Sequence, residues 1–165
     1  MKFLPSYKKT YSLSVLLILL FLGGEVYLEI MNYLQPCLLT YLERIIFLVL
    51  GIVFFIARAH SQTPFTKKLA NISIIFISLL GVFTAGRHVF LQHYPTTAFG
   101  SAAVGVYPEL IRIGKLIGEA YLGTAQCSVI NVSFWDISLE TWALILFVLF
   151  TIIGFWQQHR ETFTE

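Results

Sequence analysis

Charge is what this chain has least of. Only 12% of its 165 residues are Asp, Glu, Lys or Arg, about half the share of an ordinary soluble domain. A water-facing surface cannot be built from so few, so a purely soluble globular domain is excluded. Cysteine is nearly as scarce, with two in the whole chain. A disulfide-rich secreted scaffold is therefore excluded, and so is a zinc site made of cysteines alone. Basic residues do not cluster with aromatics into a nucleic-acid surface. No internal repeat or low-complexity tract stands out. The first apolar run is not followed by a small-x-small cleavage site and is too long for a signal-peptide core, so it reads as a retained helix.

What is abundant is apolar surface: 57% of residues are hydrophobic and the mean hydropathy is +0.77. A hydrocarbon layer of roughly 30 Å needs about 20 apolar residues per helix. Four segments meet or approach that length, at about 12–30, 41–59, 69–86 and 141–156. They leave no room for a separate soluble domain, so residues 1–165 read as a single integral membrane domain. The expected fold is an all-α, four-helix transmembrane bundle. Outer loops fall at about 31–40 and 95–140. Within the second, Val106, Leu110, Ile113, Ile117 and Tyr121 recur at helical spacing, opposite Glu109, Arg112, Lys115 and Glu119. That pattern predicts an amphipathic helix lying on the membrane surface or packed on the protein's own loops.

Lys2, Lys8, Lys9, Arg58, Lys67, Lys68 and Arg160 all fall on one side of these spans, and the positive-inside rule makes that side cytoplasmic. Both termini are then inside, and Cys37 and Cys127 are both outside. Two thiols on one oxidising side can pair with each other. Their residue chemistry leaves three readings open: a redox-active pair, an inert structural bridge, or two isolated buried thiols. Cys37 sits just ahead of a helix start, where unpaired backbone N–H groups and nearby Arg44 favour a thiolate. Helix 1 carries Glu25 and Glu29 on one face. Carboxylates at such depth are functional candidates, or simply hydrated side chains near an interface. His88 and His93, five apart, do not share a helical face, and no ligand cluster completes them, so no metal site is expected. His88 reads as a hydrogen-bonding group at the outer interface, and Arg87 as its neighbour or a lipid-phosphate anchor. Trp135, Trp142, Tyr94 and Tyr107 read as interfacial aromatics.

Three blocks resemble one family. Pro36-Cys37-Leu38-Leu39-Thr40-Tyr41-Leu42-Glu43-Arg44 is similar to the Pro-Cys-x-x-Cys-x-x-Glu/Gln-Arg of the bacterial disulfide-bond-formation protein B (DsbB) family. Gly86-Arg87-His88 through Leu91-Gln92-His93-Tyr94-Pro95 is similar to that family's Gly-Arg-His-x-x-Leu-Gln-His-x-Pro. Cys127 with Phe134, Ile137, Ser138 and Trp142 resembles its Cys-Ala-Glu…Phe-Leu-Gly-Leu-Ser…Trp. The resemblance implies an inner-membrane oxidoreductase that reoxidises a periplasmic, thioredoxin-like DsbA-type partner and passes electrons to ubiquinone or menaquinone. It implies that Cys37 and Cys127 are the catalytic thiols and that Arg44 and His88 lie at the quinone. It also exposes two departures. Thr40 stands where the family has its second helix-2 cysteine, and Ala102 is the best match for a missing loop cysteine. The retained pair corresponds to the interloop combination that forms when the family's disulfides rearrange. The alternative implied is a non-catalytic relative that binds quinone or a periplasmic partner.

Overall fold

The computed structural model describes residues 7–33, 36–60, 64–94, 125–128, 133–134 and 136–162. The expected amphipathic helix at 106–121 and the positions Ala102, Tyr107, Trp135 and Lys2 lie outside the described residues. Four long helices dominate: α1 (Tyr7–Asn32), α2 (Leu38–His60), α3 (Pro64–His93) and α4 (Leu139–Thr162). Each contains a stretch long and apolar enough to cross a membrane. The chain is therefore an all-α, multi-pass membrane protein. The helices run past the apolar segments at both ends because polar residues there still complete backbone hydrogen bonds as the chain leaves the hydrocarbon layer.

Contacts between helices are unequal. α3 packs most extensively on α4 and next on α2, while α1 leans on α2 and barely touches α4. Glycine sets the α3–α4 approach. A Cβ on Gly81 would overlap the ring of Phe147, and one on Gly154 would come within 2.7 Å of Ile75 Cγ1. Phe147 in turn stacks on Phe47 of α2, with ring centroids 3.9 Å apart and planes at 14°. This aromatic layer, with Ile18, Leu50, Phe54 and Phe150, is the fully buried middle of the bundle. The outward residues are Leu, Ile, Val and Phe, such as Leu20, Ile45, Phe76 and Ile152. In a membrane they meet lipid tails instead of water.

The two ends of the bundle are polar. At the end carrying Lys8, Lys9, Arg58, Lys67 and Lys68, Tyr11 Oη donates to Asn71 Oδ1 at 2.9 Å. Asn71 and Gln157 are wholly buried at this end, and Ser78 is wholly buried midway along α3. At the other end a hairpin of β1 (Ser133–Phe134) and β2 (Ile137–Ser138) pairs Ser133 with Ser138 and Phe134 with Ile137. Asp136 takes the left-handed conformation its turn requires, with φ 61°. Ser138 then caps α4: its Oγ accepts from the Thr141 N–H at 3.3 Å and donates to Gln92 Oε1 of α3 at 2.9 Å. Trp142 Nε1 donates to the Phe134 carbonyl at 3.2 Å, tying the hairpin to the helix.

Candidate functional site

Pro36 and Cys37 lead directly into α2. The Cys37 carbonyl accepts from the Tyr41 N–H at 3.3 Å, so Cys37 is the residue that opens the helix. Cys127 sits on a four-residue 3₁₀ turn, Ala125–Ser128, which packs on α3. The two cysteines form a disulfide, with Cα atoms 5.4 Å apart across 90 positions of sequence. Leu39 and Leu91 pack against the bridge, and both sulfur residues are almost fully buried.

The first turns of α2 point their side chains in different directions. Leu39, Glu43, Phe47, Leu50, Phe54 and Ala57 form its buried stripe, the i, i+3, i+4 pattern of a packed face. Glu43 therefore points into the bundle, towards α3. His88 meets it there, with Nδ1 2.8 Å from Glu43 Oε1 and both side chains only 2% exposed. The opposite ring nitrogen, Nε2, lies 3.5 Å from Cys37 Sγ. Sulfur, imidazole and carboxylate thus form an unbroken line from the helix start to the second turn. His88, expected as a hydrogen-bonding group near the outer interface, makes its bonds to Glu43 and Cys37 inside the protein.

Arg44 is the next residue, yet a 100° step around the helix turns it to α1. Its Nη2 lies 2.6 Å from Glu29 Oε2 and its Nε 3.4 Å from Glu25 Oε2. The guanidinium also lies over the Tyr41 ring, 5.9 Å from its centroid. Buried Glu25 is therefore accounted for by a cation, which sequence alone left open. Thr40 Oγ1 stands 3.6 Å from Cys37 Sγ. It can hydrogen-bond that sulfur but cannot form a disulfide with it.

All four residues singled out in the sequence thus lie at one end of the bundle. Cys37, Cys127 and His88 meet directly, whereas Arg44 belongs to a neighbouring ion-pair cluster on α1. The residue missed was Glu43, mentioned only as part of a Glu-Arg pair. The signal was present: Glu43 is four residues after Leu39 and four before Phe47, on a stripe that is otherwise apolar. Cys37, His88 and Cys127 also place their ligand-type atoms within 4.8 Å of one another. In the bridged state the two sulfurs are bonded to each other, which removes them as thiolate ligands.

Known proteins resemble this chain over most of its length. The family model described as disulfide bond formation protein DsbB matches residues 7–157. Disulfide bond formation protein B of Acinetobacter baumannii is 30% identical over 162 residues, covering 94% of this chain and 92% of that protein. The protein of the same name from Nitrosococcus oceani is 26% identical over 157 residues, covering 94% and 93%. That from Xylella fastidiosa strain Temecula1 is 30% identical over 136 residues, covering 81% and 79%. A match running from the first turn of α1 to near the end of α4, with the bridge at the helix-2 entrance inside it, settles the kinship: the chain belongs to the DsbB family of disulfide-bond-forming membrane proteins.

Proposed function

We propose that this protein is a quinone-linked thiol–disulfide oxidoreductase of the bacterial inner membrane, with both termini in the cytoplasm. It reoxidises a periplasmic, thioredoxin-like dithiol partner of the DsbA type and so supports disulfide formation. The observation that carries this reading is the Cys37–Cys127 bridge, placed at the end of the bundle opposite the lysines and about two helical turns from Arg44.

The chemistry asked of the chain is thiol–disulfide exchange. A thiolate of the partner opens the bridge through a mixed disulfide, and the partner's second thiol resolves it. The partner leaves oxidised, and Cys37 and Cys127 are left as a dithiol. Burial of both sulfurs means that the segment bearing Cys127 has to move for this attack. A bound quinone would accept the electron pair and two protons released when the dithiol closes again.

The residues beside the bridge fit such a group. A guanidinium carries five N–H donors, and the two ion pairs of Arg44 leave others to meet a ring oxygen. Tyr41, Arg44, Ile45 and Leu48 follow one another at i, i+3, i+4 and i+7. Tyr41, Ile45 and Leu48 are about half exposed, which gives an apolar, lipid-facing strip below the cation for a prenyl tail. Glu25 and Glu29 hold the guanidinium in place.

The test is reduction of added ubiquinone or menaquinone by a reduced thioredoxin-fold dithiol protein, catalysed by the purified chain in detergent. Turnover that disappears in Cys37→Ser supports the reading. No turnover with both cysteines shown to be intact sinks it. Thr40 favours one rival: with no second thiol on α2, a relative that binds the quinone or the partner without turnover is the alternative. Equal co-purification of a periplasmic partner with wild type and Cys37→Ser, without turnover, would establish that rival.

A further inference from the structure

The two sulfurs of the bridge are not equivalent. Cys37 Sγ stands at the N-terminal end of a 23-residue helix, where the field of the first turn favours negative charge. It also faces His88 Nε2 at 3.5 Å, while His88 Nδ1 is held by Glu43 at 2.8 Å. Cys127 lies on a four-residue turn, too short to supply a comparable helix field. We infer that Cys37, His88 and Glu43 form a thiol–imidazole–carboxylate relay that makes Cys37 the departing sulfur, so that an incoming thiolate becomes attached to Cys127. This inference rests on the proposed oxidoreductase reading and says which sulfur of that site does what.

The geometry dictates the division of labour. With the Nδ1–H donated to the Glu43 carboxylate, Nε2 presents its lone pair to Cys37. His88 is then the base that touches the reacting sulfur, and Glu43 is a positioning residue that fixes the tautomer. An attacking thiolate forms a bond to Cys127 Sγ as the Sγ–Sγ bond breaks, and the electron pair of that bond leaves on Cys37. No net oxidation occurs in this step. The released Cys37 thiolate is stabilised by the helix start, by Thr40 Oγ1 at 3.6 Å, and by the imidazolium that forms when His88 takes up the proton the incoming thiol gives up on ionising. Sulfurs of lower basicity leave faster in such exchanges. The other charged groups acting on the His88–Glu43 pair are Glu140 of α4, Glu25 of α1 and Arg44 of α2. Thr40 thus takes a role of its own here: a hydroxyl that solvates the Cys37 thiolate.

The test needs neither quinone nor a thioredoxin-like partner, so its failure is separate from failure of the proposed activity. Oxidised wild-type protein in detergent is pulsed with reduced glutathione, quenched in acid, and its peptides are mapped by mass spectrometry. The glutathione is expected on Cys127 in at least about nine of ten adducts. Adducts on Cys37, or an even split, overturn the inference with no variant needed. In the second arm, reduced protein is titrated by thiolate absorbance and by site-resolved alkylation from pH 5 to 9. His88→Gln is expected to lower the Cys37 thiolate fraction at pH 7 about tenfold, and Glu43→Gln by several-fold, with Glu43→Asp partly restoring it. Re-formation of the Cys37–Cys127 bridge on oxidation shows that each variant is folded. A pH profile of Cys37 unchanged in both folded variants also overturns the relay.

Discussion

Replacing Cys127 with Ser should loosen the outer end of the bundle while leaving the rest of the helical frame in place. The magnitude follows from the chain length that the bridge closes. Across 90 positions, loop-closure entropy alone is worth about 4.6 kcal/mol. That figure treats the intervening α2 and α3 as random coil, which they are not in a bilayer. With the helices still inserted, the chain released is only the stretch from His93, where α3 ends, to Cys127. About 34 residues give about 3.8 kcal/mol. Ser in place of Cys keeps the volume, so the added cavity term is small. Native-state hydrogen exchange in detergent micelles reads this directly. Amides of Ala125–Ser128 and of the Ser133–Ser138 hairpin should lose protection by two to three orders of magnitude, the factor that about 3.8 kcal/mol implies. Amides in the middle of α1, which does not pack on that turn, should change little. Unchanged protection at 125–128, or equal loss throughout α1, would refute the reasoning, since either result means that the bridge is not what holds the turn to α3.

Four further substitutions have expected outcomes. Gly81→Ala forces a Cβ into the Phe147 ring, which is pinned by Phe47. It should destabilise the bundle by about 1–3 kcal/mol, seen as a lower unfolding midpoint in detergent. Gly23→Ala, with nothing within 4 Å of its Cβ, should not lower the midpoint at all. Ser138→Ala removes the α4 cap and the partner of Gln92, and about 1 kcal/mol of local stability should go with it, measured as faster exchange of the first-turn amides of α4. Arg44→Gln leaves Glu25 and Glu29 without their cation; on the proposed reading it should raise the quinone KM about tenfold or more with a smaller change in kcat. An unaltered KM would separate Arg44 from the quinone.

The architecture was legible because hydrocarbon thickness acts as a ruler: four apolar runs of about the right length admit few other folds. Pairing of Cys37 with Cys127 was one of three readings, and only distance could choose it. The internal orientation of each helix was far harder to read. α1, α3 and α4 are apolar on all sides, with Leu, Ile and Phe facing lipid as well as protein, so their sequences carry almost no preference for one face. Where α2 does have a preference, Glu43 reads as an interruption of the buried stripe, and sequence gives it no partner until His88 is placed opposite. The same blindness hid the Tyr11–Asn71 hydrogen bond, whose residues are 60 positions apart. Helix ends were underestimated because hydropathy measures the membrane, whereas the backbone hydrogen bonds of α3 continue to His93.

The layering of the bundle also constrains where protons can go. Buried polar groups collect at two levels. Glu25, Glu43 and His88 lie at the sulfur end, Thr10, Ser14, Asn71 and Gln157 lie towards the lysine end, and Ser78 lies midway along α3. Between them the layer is mostly apolar, with Ile18, Phe47, Leu50, Phe147 and Phe150 buried and the Ser78 hydroxyl among them. Among the described residues this layer holds no continuous chain of donors and acceptors along which a proton could hop, and removing a charge from water into it is strongly unfavourable. Proton exchange with the sulfur-end cluster is therefore directed to the outer face, near which Glu29 is about a quarter exposed. Here Thr40 leaves Cys37 as the only sulfur on α2, so its proton has one buried acceptor within reach, the His88 imidazole. The carboxylate of Glu43 behind that ring is then not an isolated buried charge to be explained away but the group that makes a single thiol on this helix serviceable.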